Sequence, residues 1–503
     1  MIQWASKHPK ILLALLIVLA FFTADGIHVI NYPPTSIHQW RQSDCFAYAR
    51  NYFTKNSGLL SPSFYNLVVT DGRSISELPI LYYLSAKLFH IFGVHYWVLR
   101  GLTFLVFIVG LFYLYNCIRF WIKDPLAAIF PVILLATTPY YYYYGLNFLP
   151  NVPAISLSFA GLYYMLLYEQ LGTKKYLIAS TIFFIFSTLF KPTDGGIIWV
   201  AYLCVVGKDV VFNRLRDKKI IPLIVSAVII GASIFGWYKY ANWYNTVNKN
   251  TLNLLGFYPI WDMSKNDIIY TIRWRMGEYW VNSYQHRIVL YFLGILLILF
   301  VVKWRSLQKF LKFFTLFLFL GSLVYSILWF KAFDIHDYYQ LINVIAPVFL
   351  IITILEYYYQ KIIVNSNTAM RYAVVFLMAG LVTISIYHNH REQQKRYDIA
   401  SPETYKKRYF YGIEPYLRTL GISPNDTVIS IPDITPNITL VGIGNSGYTS
   451  MYSDNDFTLS HFKNQGAKYL IISDTSYLHN PLFTPYMSKL MGKYYDICIF
   501  DLR

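Results

Sequence analysis

The sequence predicts an α-helical polytopic membrane protein with a small α/β domain at its C-terminal end. Three observations predict it. Hydrophobic residues make up 56% of the 503-residue chain and aromatics 19%, while 14% are charged; a soluble domain carries roughly 25% charged residues. Apolar runs of about 18 residues or more, long enough to cross a bilayer core, recur along most of the chain. After about residue 389 the composition turns polar, and short β-type runs appear: TVISI (427–431), KYLIIS (468–473) and DICIF (496–500).

The elements follow in order. The opening MIQWASKHPKILLALLIVLAFFTADG resembles a signal peptide, but Phe22-Thr23-Ala24 makes a poor cleavage site, so it reads as an uncleaved first anchor. Spans are expected at about 11–30, 97–118, 125–145, 152–170, 175–191, 194–207, 220–240, 287–303, 311–332, 341–359 and 371–388, about eleven in all. Between the first two spans, ELPILYYLSAKLFHIFG is apolar at helical spacing with polar interruptions. That suits a helix lying along the membrane surface. The C-terminal strands alternate with helical patterns in PETYKKRYFYGIEPYLRTLG and PLFTPYMSKLMGK, which suggests a domain at 389–503 beside a membrane domain at 1–388.

Charge gives the orientation. With a cytoplasmic N-terminus, the inner segments hold Lys7 and Lys10; Arg119 and Lys123; Lys174 and Lys175; Lys208, Arg214, Arg216, Lys218 and Lys219; Lys303, Arg305, Lys309 and Lys312; and Lys361 and Arg371. The outer connections are less basic, as the positive-inside rule expects. The net charge of +17 is therefore read as orientation and attraction to anionic membrane lipids, not as nucleic-acid binding. The outer side receives residues 31–95, residues 241–286, FKAFDIHDYYQ (330–340) and everything after about 389. Cys45, Cys117, Cys204 and Cys498 show no metal-ligand spacing and read as free thiols, with a Cys45–Cys498 pair left open.

On that outer side, HQWRQSDCFAYARNY (38–52) sets Asp44 close to the end of the first span, beside Arg41. Other ionisable groups collect there: Asp25, Glu77, Lys191, Asp194, Asp334, His336 and Asp337. Such groups at membrane depth line a site or pair with one another. Plainer roles are available for each. Asp44 can cap a helix starting at Cys45, and Glu77 can cap the next. Lys191 can snorkel to the interface, His336-Asp337 can be an interfacial pair, and Arg273 and Arg275 can form a solvated face. Tyr140–Tyr144 reads as an interfacial aromatic belt. GIGNSG (442–447) fits a turn-rich loop better than a dinucleotide site, because no convincing helix follows. NDT (425–427) and NIT (437–439) match the glycosylation pattern.

SDCFAYARNYF resembles the first outer loop of the C-type-fold polytopic glycosyltransferases, the superfamily of the protein O-mannosyltransferases and the lipid A aminoarabinose transferases. SELPILYYLSAKLFHIFGVHYWVLRGLTFL, with Glu77, Pro79, Gly93, Trp97 and Arg100, is similar to their next segment, and HDYYQLINVIAPVFL to a late-span motif of bacterial members. The resemblance covers about residues 10–200 and omits the C-terminal domain. Two positions depart from the pattern: Cys45 follows Asp44 where a second acid is usual, and Asn151 stands where many relatives have Asp.

The resemblance implies an integral-membrane enzyme of the plasma (inner) membrane. It would move a hexose or pentose from a polyprenyl-phosphate donor to an extracytoplasmic lipid, glycan or protein. Asp44 would be the general base, with attack opposite the phosphate inverting the anomeric centre, and Glu77 would orient the acceptor or tune Asp44. Arg41, Lys191, His336, Arg273 and Arg275 would meet the phosphate, with Asp337 and Tyr338 at the substrate and Tyr339 beside them. No cofactor is implied, and a divalent metal stays open. The alternatives are an envelope polysaccharide ligase or polymerase, which would carry its main basic loop late in the chain, and a transporter or flippase, which would show inverted repeats.

Overall fold

The computed structural model describes residues 6–213, 220–250, 256–359, 368–398, 408–451 and 455–503. The expected inner-loop residues Arg214, Arg216, Lys218, Lys219 and Lys361, and positions 402–407 of one expected helix, lie outside the described residues. The chain divides into two compact units. The first is Met1–Val29, Thr103–Trp237 and Gly256–Lys395; the second is Ile30–Leu102, Tyr238–Leu255 and Arg396–Arg503.

The principal helices are α1 (Pro9–Thr23), α2 (Gln39–Lys55), α3 (Ile80–Phe92), α4 (Tyr96–Ile118), α5 (Pro125–Ala136), α6 (Pro139–Gly145), α7 (Asn151–Leu171), α8 (Lys174–Phe190), α9 (Pro192–Asn213), α10 (Ile220–Val247), α11 (Arg287–Val302), α12 (Lys309–Leu328), α13 (Ile345–Tyr358), α14 (Thr368–Arg396), α15 (Ile413–Thr419), α16 (Ile438–Ile443) and α17 (Asp456–Asn464). Every expected span falls on one or two of these helices. Among the described residues, five helices are long and apolar enough to cross a membrane, and two bent pairs raise that to seven. The expected eleven is not reached on that criterion. The protein is a multi-pass membrane protein.

In the first unit, α7 packs on α8 and α9, α9 on α12, and α12 on α13. Close approach depends on small residues: a Cβ on Gly110 of α4 would lie 2.3 Å from the Ser156 side chain of α7. Proline and threonine punctuate the helices. Asp124 caps α5 by accepting from the Ala127 N–H at 2.8 Å, and Pro139 starts α6 at a 76° bend. The bend overturns the expectation for Tyr140–Tyr144. All five tyrosines are buried rather than spread along an interface. Phe107 of α4 sits 5.5 Å from Tyr141, and the carboxylate of Asp337 accepts from the Tyr144 hydroxyl.

The second unit holds a mixed five-stranded sheet, β1 (Val428–Ile431), β2 (Gly447–Thr449), β3 (Tyr469–Ile472), β4 (Leu490–Tyr494) and β5 (Ile497–Asp501), in the order β2-β1-β3-β5-β4. β1 pairs in parallel with β2 and β3, while β5 runs antiparallel to β3 and β4. β1, β3 and β5 are buried throughout, as central strands with both faces covered should be. The expected strands are there. PLFTPYMSKLMGK, expected as helix, instead gives a short 3-10 turn at Thr484–Tyr486 and then β4. Its periodicity is too short to separate helix from strand, and pairing with β5 decides.

GIGNSG ends α16 and enters β2, with Gly444 at φ +74° closing the helix. A strand follows where a dinucleotide loop needs a helix, so the turn reading holds. A Cβ on Gly447 would meet the Val428 carbonyl oxygen at 1.9 Å. The β2 edge is covered by the first loop: Leu67 N–H donates to Gly447 O at 2.8 Å and Gly447 N–H to Tyr65 O at 3.0 Å. All four cysteines carry free thiols.

Candidate active site

The first group of candidate residues lies in the second unit, on and around α2. That helix starts at Gln39, so Asp44 is an interior helical residue and not a cap. Glu77 likewise does not cap α3, whose N-cap is Pro79. α3 buries Leu81, Tyr82, Ser85, Ala86 and Phe89 and leaves Leu84, Ile91 and Phe92 exposed. This is the one-sided burial expected of a surface helix, and α3 packs on α2.

Glu77 is buried and pairs with the Arg41 guanidinium. It also accepts from the Ser76 hydroxyl and from Tyr82 OH at 3.2 Å. Cys45, standing where a second acid is usual, meets Tyr82 OH at 3.1 Å. Burial pushes its thiol up to about 12, so it contributes no negative charge near neutral pH.

Asp44 is half-buried. Its Oδ1 accepts from Asn437 Nδ2 at 2.6 Å. Burial pushes the Asp44 carboxyl up to about 7, against the pull of the Arg41 guanidinium and the Asn437 hydrogen bond, with the like charge of Glu77 pushing the same way as burial. Asn437 is fully buried, and its other side-chain atom, Oδ1, accepts from Tyr65 N–H at 3.1 Å. Both ends of this amide are committed, so NIT at 437–439 does not present a glycosylation site. The α15–α16 segment is anchored to α2 independently: Arg50 Nη2 donates to both Glu414 oxygens at 2.7 Å and Arg50 Nη1 to Val441 O at 3.2 Å. Sequence reasoning missed Asn437. The only available signal was a polar residue preceding an apolar helix, which marks any N-cap.

The second group lies in the first unit. Lys191 stands between α8 and α9, with its Nζ 5.2 Å from the centre of the Tyr339 ring. Three residues on, Asp194 is 1% exposed, and its Oδ2 accepts from Asn151 Nδ2 at 2.8 Å. The missing acid at position 151 is thus replaced by an amide that holds an acid from the neighbouring helix. His336 stacks on Tyr338, centroids 5.2 Å apart, and Asp337 and Tyr338 are buried. Arg273 and Arg275 are exposed on the segment 271–280, with Arg275 Nε 3.5 Å from Asp334 Oδ1. Among the described residues, no group of three or more His, Cys, Asp or Glu is placed to hold a metal ion.

Residues 76–237, which include Glu77, Asn151, Lys191 and Asp194, match the family model for dolichyl-phosphate-mannose-protein mannosyltransferase. The fold is similar to that of ArnT from Cupriavidus metallidurans. In the apo state the TM-score is 0.62 at 12% identity, over 99% of this chain and 98% of that one. For ArnT bound to undecaprenyl phosphate the TM-score is 0.63 at 13% identity, with the same shares covered. Arabinofuranosyltransferase AftD from Mycobacteria aligns at TM-score 0.50 and 11% identity, over 98% of this chain and 40% of AftD. No curated protein matches the sequence. The resemblance first carried by SDCFAYARNYF and the Glu77 segment is borne out at the level of fold: the chain is a membrane protein of the C-type glycosyltransferase fold, similar over residues 76–237 to the dolichyl-phosphate-mannose-protein mannosyltransferases.

Proposed function

We propose that this protein transfers a sugar from a polyprenyl-phosphate donor to an acceptor outside the cytoplasm, with Asp44 as general base. One observation carries the reading: a half-buried carboxylate inside a helix, held by Asn437 and titrating at about 7. A base with that affinity is half ionised near neutral pH, where proton transfer is most effective. The acceptor hydroxyl gives its proton to Asp44 as its oxygen attacks the anomeric carbon. The carbon–phosphate-oxygen bond breaks on the opposite face, and the configuration inverts. The leaving phosphate is already an anion, so cations serve it better than an acid does.

Glu77 fixes Arg41 and, through that pair, adjusts the charge around Asp44. We assign Lys191 and His336 to the donor's phosphate, with Arg273 and Arg275 as further cations for it. Asp337 and Tyr338 are proposed as substrate contacts. We further infer an inner (plasma) membrane location, a cytoplasmic N-terminus and an extracytoplasmic C-terminal domain, from the alternation of basic segments. ArnT bound to undecaprenyl phosphate supports the donor class, and the mannosyltransferase model match supports sugar transfer.

The test is genetic and chemical. Mass spectrometry of envelope lipids and glycans from cells lacking the gene should show one sugar-bearing product lost and its carrier-linked precursor accumulated. Wild type should restore the product and Asp44→Asn should not, although the variant still binds polyprenyl phosphate. A cytosolic location for a thiol label introduced near position 44 would overturn the mechanism.

A further inference from the structure

Asp194 has a role to fill that the proposed mechanism does not give it. It is 1% exposed, at the start of α9. Asn151 Nδ2 holds its Oδ2 at 2.8 Å, and Thr193 Oγ1 lies 3.5 Å from the same atom. Its other oxygen, Oδ1, has no hydrogen-bond partner among the described residues. Nearby, on α12, Tyr325 is buried, and its hydroxyl faces Thr193, the residue before Asp194. The two are neighbours: α9 packs on α12, and the Asp194 carboxylate lies close to Tyr325, with Tyr338 and Tyr339 also near it. Leaving a buried carboxylate oxygen unmatched costs free energy. Buried polar groups of this kind are normally met by something.

The chemistry narrows what meets them. A carboxylate oxygen only accepts, so its partner must donate. A phosphate or a carboxylate would be repelled. Lys191 already brings positive charge close to Asp194, which leaves little call for a second cation. A neutral donor remains, and the surroundings favour one with an apolar face. Tyr338 and Tyr339 lie with ring centroids 4.8 Å apart, and His336 stacks on the first at 5.2 Å. An acid–amide pair with aromatic rings beside it suits a sugar ring: hydroxyls for the polar atoms and C–H faces for the rings.

We infer that Asp194 and Tyr325, with Asn151 fixing the carboxylate, form a hydroxyl-recognition subsite for the sugar of the lipid-linked donor. The inference rests on the proposed donor class and adds a determinant of which sugar is accepted. Asn151 is a positioning residue: it holds Oδ2 so that Oδ1 is presented.

The experiment is equilibrium binding to the full-length protein in nanodiscs. The probes are polyprenyl phosphate carrying mannose, carrying arabinofuranose, or carrying no sugar. Wild type should bind one sugar-bearing probe more tightly than the bare phosphate. Asp194→Asn should remove that preference, a loss of roughly tenfold to a hundredfold for one charge-assisted hydrogen bond. Tyr325→Phe should remove part of it, and in both variants the loss is read as the ratio of the sugar-bearing probe's affinity to that of the bare phosphate. Both changes are isosteric, and the bare-phosphate affinity reports that each variant is folded. Equal affinity of wild type for all three probes, or an unchanged preference in Asp194→Asn, overturns the subsite alone. Failure of wild type to bind even the bare phosphate overturns the donor class, and the subsite with it.

Discussion

Replacing Asn437 by Ala should move the pH dependence of the reaction without abolishing it. The amide donates to Asp44 Oδ1 at 2.6 Å and so favours the charged carboxylate. A hydrogen bond to a charged group contributes about 1.5–3 kcal/mol, and one pKa unit corresponds to about 1.4 kcal/mol. The loss therefore raises the Asp44 pKa by about one to two units. Asp44 is only half-buried, so solvent replaces part of the bond and the lower end is expected. In wild type the rate should rise with pH through about 7 as the base ionises. In the variant the rise should centre near pH 8, and at pH 7 the ionised fraction should fall from about one half to roughly one tenth. Initial rates of sugar transfer across pH 5.5 to about 9.5 read this directly. A loss of the same size at every pH would refute the reasoning, because it would mean that Asn437 only supports the structure. Asn437→Asp separates the roles further. It keeps an acceptor for Tyr65 N–H but sets a carboxylate against Asp44, so the limb should move higher still.

Other outcomes follow from the same geometry. The folded Asp44 titrates above an ordinary Asp, so its ionisation opposes folding progressively as pH rises from about 4 to 7; Asp44→Asn should gain more thermal stability over wild type at pH 8 than at pH 5. Glu77→Gln removes the charge that pairs with Arg41 and should cost about 3 kcal/mol, read as a fall in unfolding midpoint that Arg41→Met in the same chain partly reverses. Gly447→Ala would drive a methyl into the Val428 carbonyl at 1.9 Å; the β1–β2 pairing should fail, with loss of hydrogen-exchange protection at Val428–Ser430.

Asp44 was legible because a carboxylate next to a greasy span is rare enough to notice. Its setting was not. Asn437 lies 393 positions away, and nothing in periodicity or composition links the two. The Asp44 and Glu77 caps were reasonable from residue type, but helix starts are uncertain by a few residues, and α2 begins six residues earlier than a cap at Asp44 requires. Tyr140–Tyr144 carries the composition of an interfacial belt, which a buried aromatic cluster shares; the bend at Pro139 decided it. The strands 428–431, 469–472 and 497–501 were readable as apolar β-type runs, since buried strands are continuous in hydrophobicity. β4 was not, being partly exposed and lacking that signature. At Asn151 the absent acid was visible, but not that Asp194 occupies its neighbourhood, because the two sit on different helices.

The bond between residue 437 and residue 44 has a consequence for biogenesis. A ribosome finishes the first apolar helix and the loop behind it long before it reaches the asparagine. Until that late stretch is translated and seated, the newborn protein carries an acid without its tuning amide. Truncated or stalled chains should therefore reach the bilayer with Asp44 still lacking the partner that favours its charged form.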